Sequence, residues 1–207
     1  MASFIFKYLK RAGIMGTVQE SQNLVLQVDR FDRPIGLVEK KNAHFKGILH
    51  RAFSIFIFRE VNLSLQLLLQ QRAFHKYHSA GLWTNTCCSH AEPDVPIEIT
   101  AKNRLQTEMG FSCPLLFSGS FYYKTDVGNG MTEHEIDHVF AAFHNPTNIH
   151  LNPEEANAFK WINIKDLEKN LMMKSHEFTA WFPEALNVAL KFLADRTTQE
   201  VRVHGGG

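Results

Sequence analysis

The chain has 207 residues, 44% hydrophobic and 21% charged, which is enough apolar material for a packed core and excludes a disordered chain. Its 22 basic residues nearly balance 21 acidic ones for a net charge of +1, which excludes a protein that grips nucleic acid by broad phosphate neutralisation and leaves room for a local basic pocket. No apolar run approaches the roughly 20 residues of a membrane span. The three cysteines, Cys87, Cys88 and Cys113, read as free thiols of a cytoplasmic protein, with Cys113 structural.

Residues 1–22 read as an N-terminal extension, expected to be flexible. Their apolar part, Phe4-Ile5-Phe6, is broken by Lys7 and lacks a small-residue cleavage pattern, so it makes a poor signal peptide. A single domain is expected over 23–197, followed by a tail over 198–207. Leu24, Leu26 and Val28 alternate with polar neighbours, a strand signal. Arg30 to Gly36 is a turn, and Leu37 to Lys41 resumes an extended path. The Phe- and Ile-rich run Arg51 to Arg59 predicts a buried strand, Leu65 to Gln71 a second, with a hairpin loop between them. Leu82 to His90 is irregular or extended.

Helical periodicity through Ile99, Leu105 and Met109 predicts a helix over Glu98 to Met109, stopped by Gly110. Strands are expected over Phe117 to Thr125 and His134 to Phe143, around the Gly-rich turn Asp126 to Thr132. A short strand at Trp161 to Ile164 precedes a helix over Lys165 to Met173. A last helix runs from Thr179 to Asp195. This order gives a mixed α/β (α+β) sandwich.

Four clusters carry chemistry. In Trp83-Thr84-Asn85-Thr86-Cys87-Cys88-Ser89-His90, a thiol and an imidazole two residues apart face one side if the segment is extended. In Glu133-His134-Glu135-Ile136-Asp137-His138, a strand points Glu133 and Glu135 to one face, where they repel unless a cation or proton lies between them. Like-charged Glu133 is therefore expected to raise the pKa of Glu135 unless a metal compensates. His44 and His50 flank a short loop and, with His90 and the two Glu, compose a nitrogen–oxygen set suited to Mg²⁺, Mn²⁺ or Zn²⁺. Lys40, Arg72, Lys76 and Arg104 are surface charges by default, but beside a divalent ion they can clamp a diphosphate.

At these residues the sequence resembles type 1 isopentenyl-diphosphate isomerases, a family with a Nudix-like fold. The match spans Leu24 to Leu193. It rests on four motifs in order: His50-Arg51-Ala52-Phe53-Ser54, Leu68-Leu69-Gln70-Gln71-Arg72, Trp83 to His90, and Glu133-His134-Glu135-Ile136-Asp137. The resemblance implies a Nudix-like mixed β-sheet sandwich with flanking helices. It implies reversible 1,3-allylic rearrangement of isopentenyl diphosphate to dimethylallyl diphosphate, in isoprenoid biosynthesis, by a cytoplasmic monomer.

The residue roles come from the same resemblance. Cys88 and Glu135 match the family's proton-transferring pair, and Tyr123 matches a Tyr that hydrogen-bonds the Glu. His44, His50, His90, Glu133 and Glu135 match the ligands of one divalent ion, Mn²⁺ or Zn²⁺. Glu108 matches a Glu holding a Mg²⁺ that bridges to the diphosphate. Lys40, Arg72, Lys76 and Arg104 match diphosphate-binding positions, and Trp181 matches a Trp whose π face lines the substrate pocket. One departure is Ala91-Glu92-Pro93 after His90, where the family usually has Pro directly.

Two other readings stand beside this one. A Nudix hydrolase needs a helix bearing several Glu. Aligning its final Gly on Gly110 keeps Glu108 but places Thr107, Arg104 and Val95 where the other Glu belong. A non-catalytic binding module is the third.

Overall fold

The first strand, β1 (Leu24–Val28), forms where alternation predicts it, but it buries Val25 and Val28. A register shift at Gln27/Val28, where it pairs with β2 (Pro34–Glu39), resets the alternation by one residue. The computed structural model describes residues 23–204, and side chains through residue 196. The extension expected over 1–22 lies outside the described residues.

The extended path expected over Leu37 to Lys41 holds through Glu39, the end of β2, and gives way there to a helix, α1 (Lys40–Lys46). The sequence offered no Ser, Thr, Asp or Asn to start one. Glu39 supplies the cap, its carboxylate accepting from the backbone N–H of Lys41 and Asn42. Gly47, at φ 57°, closes the helix in the left-handed region.

The Phe-rich run becomes β3 (His50–Val61), and its hairpin partner is β4 (Ser64–Arg72). Asn62 and Leu63, both at positive φ, make the two-residue turn between them. The segment Leu82 to His90 resolves into two short strands, β5 (Trp83–Thr84) and β6 (Cys87–His90). Helix α2 (Ile97–Met109) ends at Gly110, where an added Cβ would meet the His150 carbonyl oxygen at 2.6 Å.

Strands β7 (Leu116–Asp126) and β8 (Thr132–Phe143) form the expected hairpin. Strand β9 is longer than expected, Ala156–Asn163, because pairing with β4 holds polar residues such as Asn157 and Lys160 in extended form. Helices α3 (Ile164–Met173) and α4 (Phe182–His204) follow; α4 starts after Thr179 and continues past Asp195 into the expected tail. No helix among the described residues is long and apolar enough to cross a membrane.

Strand β3 is central. It pairs in parallel with β8 from His50↔Glu135 to Phe58↔Phe143, and its other edge meets β1, β6 and β4 in turn. Alternation along β3 feeds two cores. Phe53, Ile55 and Ile57 pack with Leu105 and Met109 of α2 on one face. Phe56 and Phe58 pack with Phe182, Ala185, Leu186 and Ala189 of α4 on the other. The result is a mixed sheet between helices, the sandwich that the order of elements predicts.

Candidate active site

The face of β3 and β8 that α4 covers turns polar toward the start of both strands. Period-two alternation places Glu133, Glu135 and Asp137 on that face, and all three are buried. The parallel register then sets His50 beside Glu135, Nε2 to Oε1 at 3.2 Å. Strand β6, on the other edge of β3, delivers His90 Nε2 to the same oxygen at 3.1 Å. Helix α1 brings His44 Nε2 to 3.2 Å from Glu133 Oε2.

The ring orientations select ligands. His44 Nδ1 faces the Lys40 carbonyl at 2.6 Å, and His50 Nδ1 faces the Ile48 carbonyl at 2.7 Å. A carbonyl only accepts, so each Nδ1 carries a hydrogen, and Nε2 is the nitrogen turned toward the carboxylates. The Nε2 atoms of His44, His50 and His90 and Oε2 of Glu133 are buried without a hydrogen-bond partner. One ligand atom from each of His44, His50, His90, Glu133 and Glu135 lies within 4.8 Å of all the others. Three imidazole nitrogens and two carboxylates that face one another make a group that could hold a divalent cation.

Above this cluster is a cavity of about 500 Å³. Cys88, Tyr123 and Trp181 line it, as do Lys40, Arg72, Lys76 and Arg104. The extended path of β6 puts Cys88 and His90 on this one cavity, as an i, i+2 pair requires. Burial pushes the Cys88 thiol up to about 12, although Arg72, with Nη1 at 3.8 Å from the sulfur, pulls the other way. Tyr123 donates to Glu135 Oε2. Burial and the nearby Glu135 charge hold Tyr123 well above the usual phenol range, so it remains a donor.

The carboxylates divide differently from the expectation. Burial pushes Glu135 up, but the His50 ring facing it and the hydrogen bond from Tyr123 outweigh it, and its pKa lies below the ordinary value. The raised carboxyl is Asp137, lifted by burial and by the Glu135 charge. Ser54 Oγ donates to Asp137 Oδ2 at 2.7 Å, and Oδ1 has no partner. Repulsion on this face therefore falls on the one carboxylate that no histidine faces.

Lys40, Arg72, Lys76 and Arg104 are partly buried in the wall of the cavity. Burial pushes Lys40 down, and Lys76 and Arg72 push it further, the signature of positive charges crowded together. Glu155, which precedes β9, ion-pairs with Lys76 and, at 2.8 Å, with Arg104. Trp181 is fixed by its Nε1–H, which donates to Asn85 Oδ1 at 3.3 Å, and the Arg72 guanidinium lies 5.5 Å from its ring centroid.

A family model described as the NUDIX domain matches residues 48–182. An "Isopentenyl-diphosphate Delta-isomerase 2" of Aromatoleum aromaticum is 41% identical over 80% of this chain and 86% of its own length. An "Isopentenyl-diphosphate Delta-isomerase" of Pectobacterium atrosepticum is 43% identical over 76% of this chain and 86% of its own. The chain belongs to the isopentenyl-diphosphate Delta-isomerases of the NUDIX family. The NUDIX domain of Shewanella oneidensis NrtR, solved with ADP ribose, shares the fold at a TM-score of 0.55 and 14% identity, over 86% of this chain and 99% of that one.

Within this isomerase family member, Glu108 stands apart from the five-residue cluster. Its Oε1 accepts from Arg104 at 2.8 Å and its Oε2 from Gln70 at 3.0 Å. The other acidic residue of α2, Glu98, is exposed, so the helix presents one inward carboxylate where a hydrolase needs several. Cys87 is fully buried beside Glu108 and faces away from the cavity that Cys88 lines. Asp137, Glu155, Asn85 and His78 have no role in the sequence reading. Strand parity alone pointed to Asp137. The others lie in loops or a short connection, where no periodicity marks them.

Proposed function

We propose that the chain converts isopentenyl diphosphate reversibly to dimethylallyl diphosphate, holding the allyl unit between Cys88 and Glu135. The observation that carries this reading is one cavity lined by His90, Glu133 and Glu135 of the five-residue cluster, by the Cys88 thiol and by Tyr123, which hydrogen-bonds Glu135. The names of the relatives support it.

One of the pair delivers a proton to the terminal methylene carbon, leaving a tertiary cation. The other removes a proton from C2, so the double bond moves and the proton count balances. Tyr123 donates to Glu135 Oε2 and fixes which way that carboxylate faces. The Trp181 ring, held by Asn85, offers its π face to the cationic centre. Lys40, Arg72, Lys76 and Arg104 bind the diphosphate and anchor the reacting carbons.

His44, His50, His90, Glu133 and Glu135 would hold Mn²⁺ or Zn²⁺, and Glu108 would hold Mg²⁺ at the diphosphate. Such an ion supplies positive charge that offsets the paired carboxylates and sharpens the acidity of Glu135. Cys87, Cys88 and Cys113 are free thiols, which suits the reducing cytoplasm, and the reading takes the protein as a monomer serving isoprenoid biosynthesis.

The test is to incubate the protein with isopentenyl diphosphate, Mg²⁺ and Mn²⁺ and to follow allyl protons and phosphate by NMR. The dimethylallyl signals should grow with no phosphate released. Phosphate release instead would overturn the isomerase reading in favour of hydrolysis, and no change with metal present would overturn both.

A further inference from the structure

The loop between β4 and β5 carries a histidine that the proposed reaction does not use. His78 is 5% exposed. Its Nε2 lies 3.2 Å from Glu133 Oε1, while His44 Nε2 lies 3.2 Å from the other oxygen, Oε2. The two oxygens of one buried carboxylate are thus divided between two imidazoles. His78 Nδ1 faces Ser79 Oγ at 3.3 Å. A hydroxyl can donate and a carboxylate oxygen cannot, so the hydrogen of the His78 ring belongs on Nε2.

His78 is not part of the mutually close set formed by His44, His50, His90, Glu133 and Glu135. It backs that set from the side of the aromatic wall. Its ring packs edge-on against Tyr77, with centroids 4.7 Å apart, and against Trp181, at 6.3 Å. Its carbonyl oxygen accepts from Arg72 Nη2 at 3.3 Å.

A ligating carboxylate that is free to turn can offer either oxygen or both. A hydrogen bond to one oxygen leaves the other as the ligand and removes that freedom. We propose that His78 is a positioning residue, whose Nε2–H holds Glu133 Oε1 so that Glu133 presents Oε2 alone to the space shared with His44, His50 and His90. The inference rests on the reading that these residues hold a divalent ion. It assigns to the β4–β5 loop a part in setting metal affinity, and it ties that loop to Trp181 and Arg72.

The experiment measures Zn²⁺ affinity by competition with a chromophoric chelator, without substrate, for the native protein and three variants. His78→Phe keeps an aromatic ring and removes the donor. His78→Gln keeps a donor and removes the ring. His50→Ala removes a ligand. We expect His78→Phe to bind Zn²⁺ about tenfold to hundredfold more weakly, and His78→Gln to stay within about threefold of native. Native affinity in His78→Phe overturns the proposal. So does an equal loss in His78→Phe and His78→Gln. A loss in His78→Phe as large as in His50→Ala also overturns it, by making His78 a direct ligand. If His50→Ala binds as tightly as native, the metal reading itself fails and takes the proposal with it. If the Phe variant does not fold, His78→Ala against His78→Gln decides in the same terms.

Discussion

Strands β3 and β8 lie side by side through one parallel ladder, yet the face they share with α4 has two unlike halves. Beyond Ser54 and Asp137, Phe56, Phe58, Val139 and Ala141 pack against Phe182, Ala185, Leu186 and Ala189. Before them stand His50, Glu133 and Glu135, and His50 Nε2 and Glu133 Oε2 are buried with no hydrogen-bond partner. The backbone hydrogen bonding is continuous from His50↔Glu135 to Phe58↔Phe143. The apolar half gains stability from every contact. The polar half is built at a cost in stability, because buried polar atoms without partners are expensive. The rigid apolar half allows the polar one to be held open for a cation and a substrate.

The largest expected effect lies in the polar half. Cys88→Ala and Glu135→Gln should each lower kcat by about 10²-fold to 10⁴-fold or more, with the cooperative unfolding transition retained. Turnover near native in either variant breaks the assignment of that residue. Removing divalent ions by chelation should stop turnover as well. Restoring Zn²⁺ or Mn²⁺ at about 100 times its Kd should raise stability by about 2.7 kcal/mol, read as a shift in Tm. No shift would mean that the unsatisfied atoms are not a metal site.

The apolar half should respond the other way. Phe56→Ala should destabilise by about 3–5 kcal/mol in urea unfolding while the folded fraction keeps its kcat. A lost kcat with stability unchanged would erase the distinction between the halves. Arg72→Ala should mainly raise KM, because its diphosphate contact is made in ground and transition states alike. A loss confined to kcat would move Arg72 to the reacting atoms it approaches at Cys88.

The smallest effect belongs to the rim on the opposite face of the same strands, where Asp32 accepts from Arg51 and faces His138, each at 2.8 Å. Burial pushes Asp32 up, but His138 and Arg51 outweigh it and its pKa falls below 3.8. The folded value is the lower one, so this contribution is complete above the unfolded value and is lost as pH falls through the folded value. Asp32→Asn should therefore cost under about 1 kcal/mol at pH 7, and the difference from native should vanish in strong acid. A difference that grows in acid would reverse the sign.

Much of the site was legible because strand parity is local. Glu133 and Glu135 share a face, and Cys88 and His90 share a cavity, because each pair is two residues apart on an extended chain. His44 and His50 were marked by the short loop they flank and His50 also by a motif of the resemblance, where parity could not reach them. Helix α1 was missed because its cap is Glu39, outside the usual capping set. Strand β9 was read short because its polar residues are held by β4 and not by any pattern of their own.

The sequence by itself determined the alternating layers of the sheet, the helix that stops at Gly110, and the residue types that converge on the cavity. Those follow from periodicities of two and 3.6 residues and from side-chain chemistry, which act between near neighbours. Tertiary structure decided which partner each charge meets. It set His50 against Glu135 through the register of strands distant in sequence. It paired Glu155 with Lys76 and Arg104, left Asp137 as the carboxyl with the raised pKa, and brought His78 onto Glu133. A charge in a folded protein answers to whatever faces it within a few ångströms, and that distance is fixed only when separate segments pack.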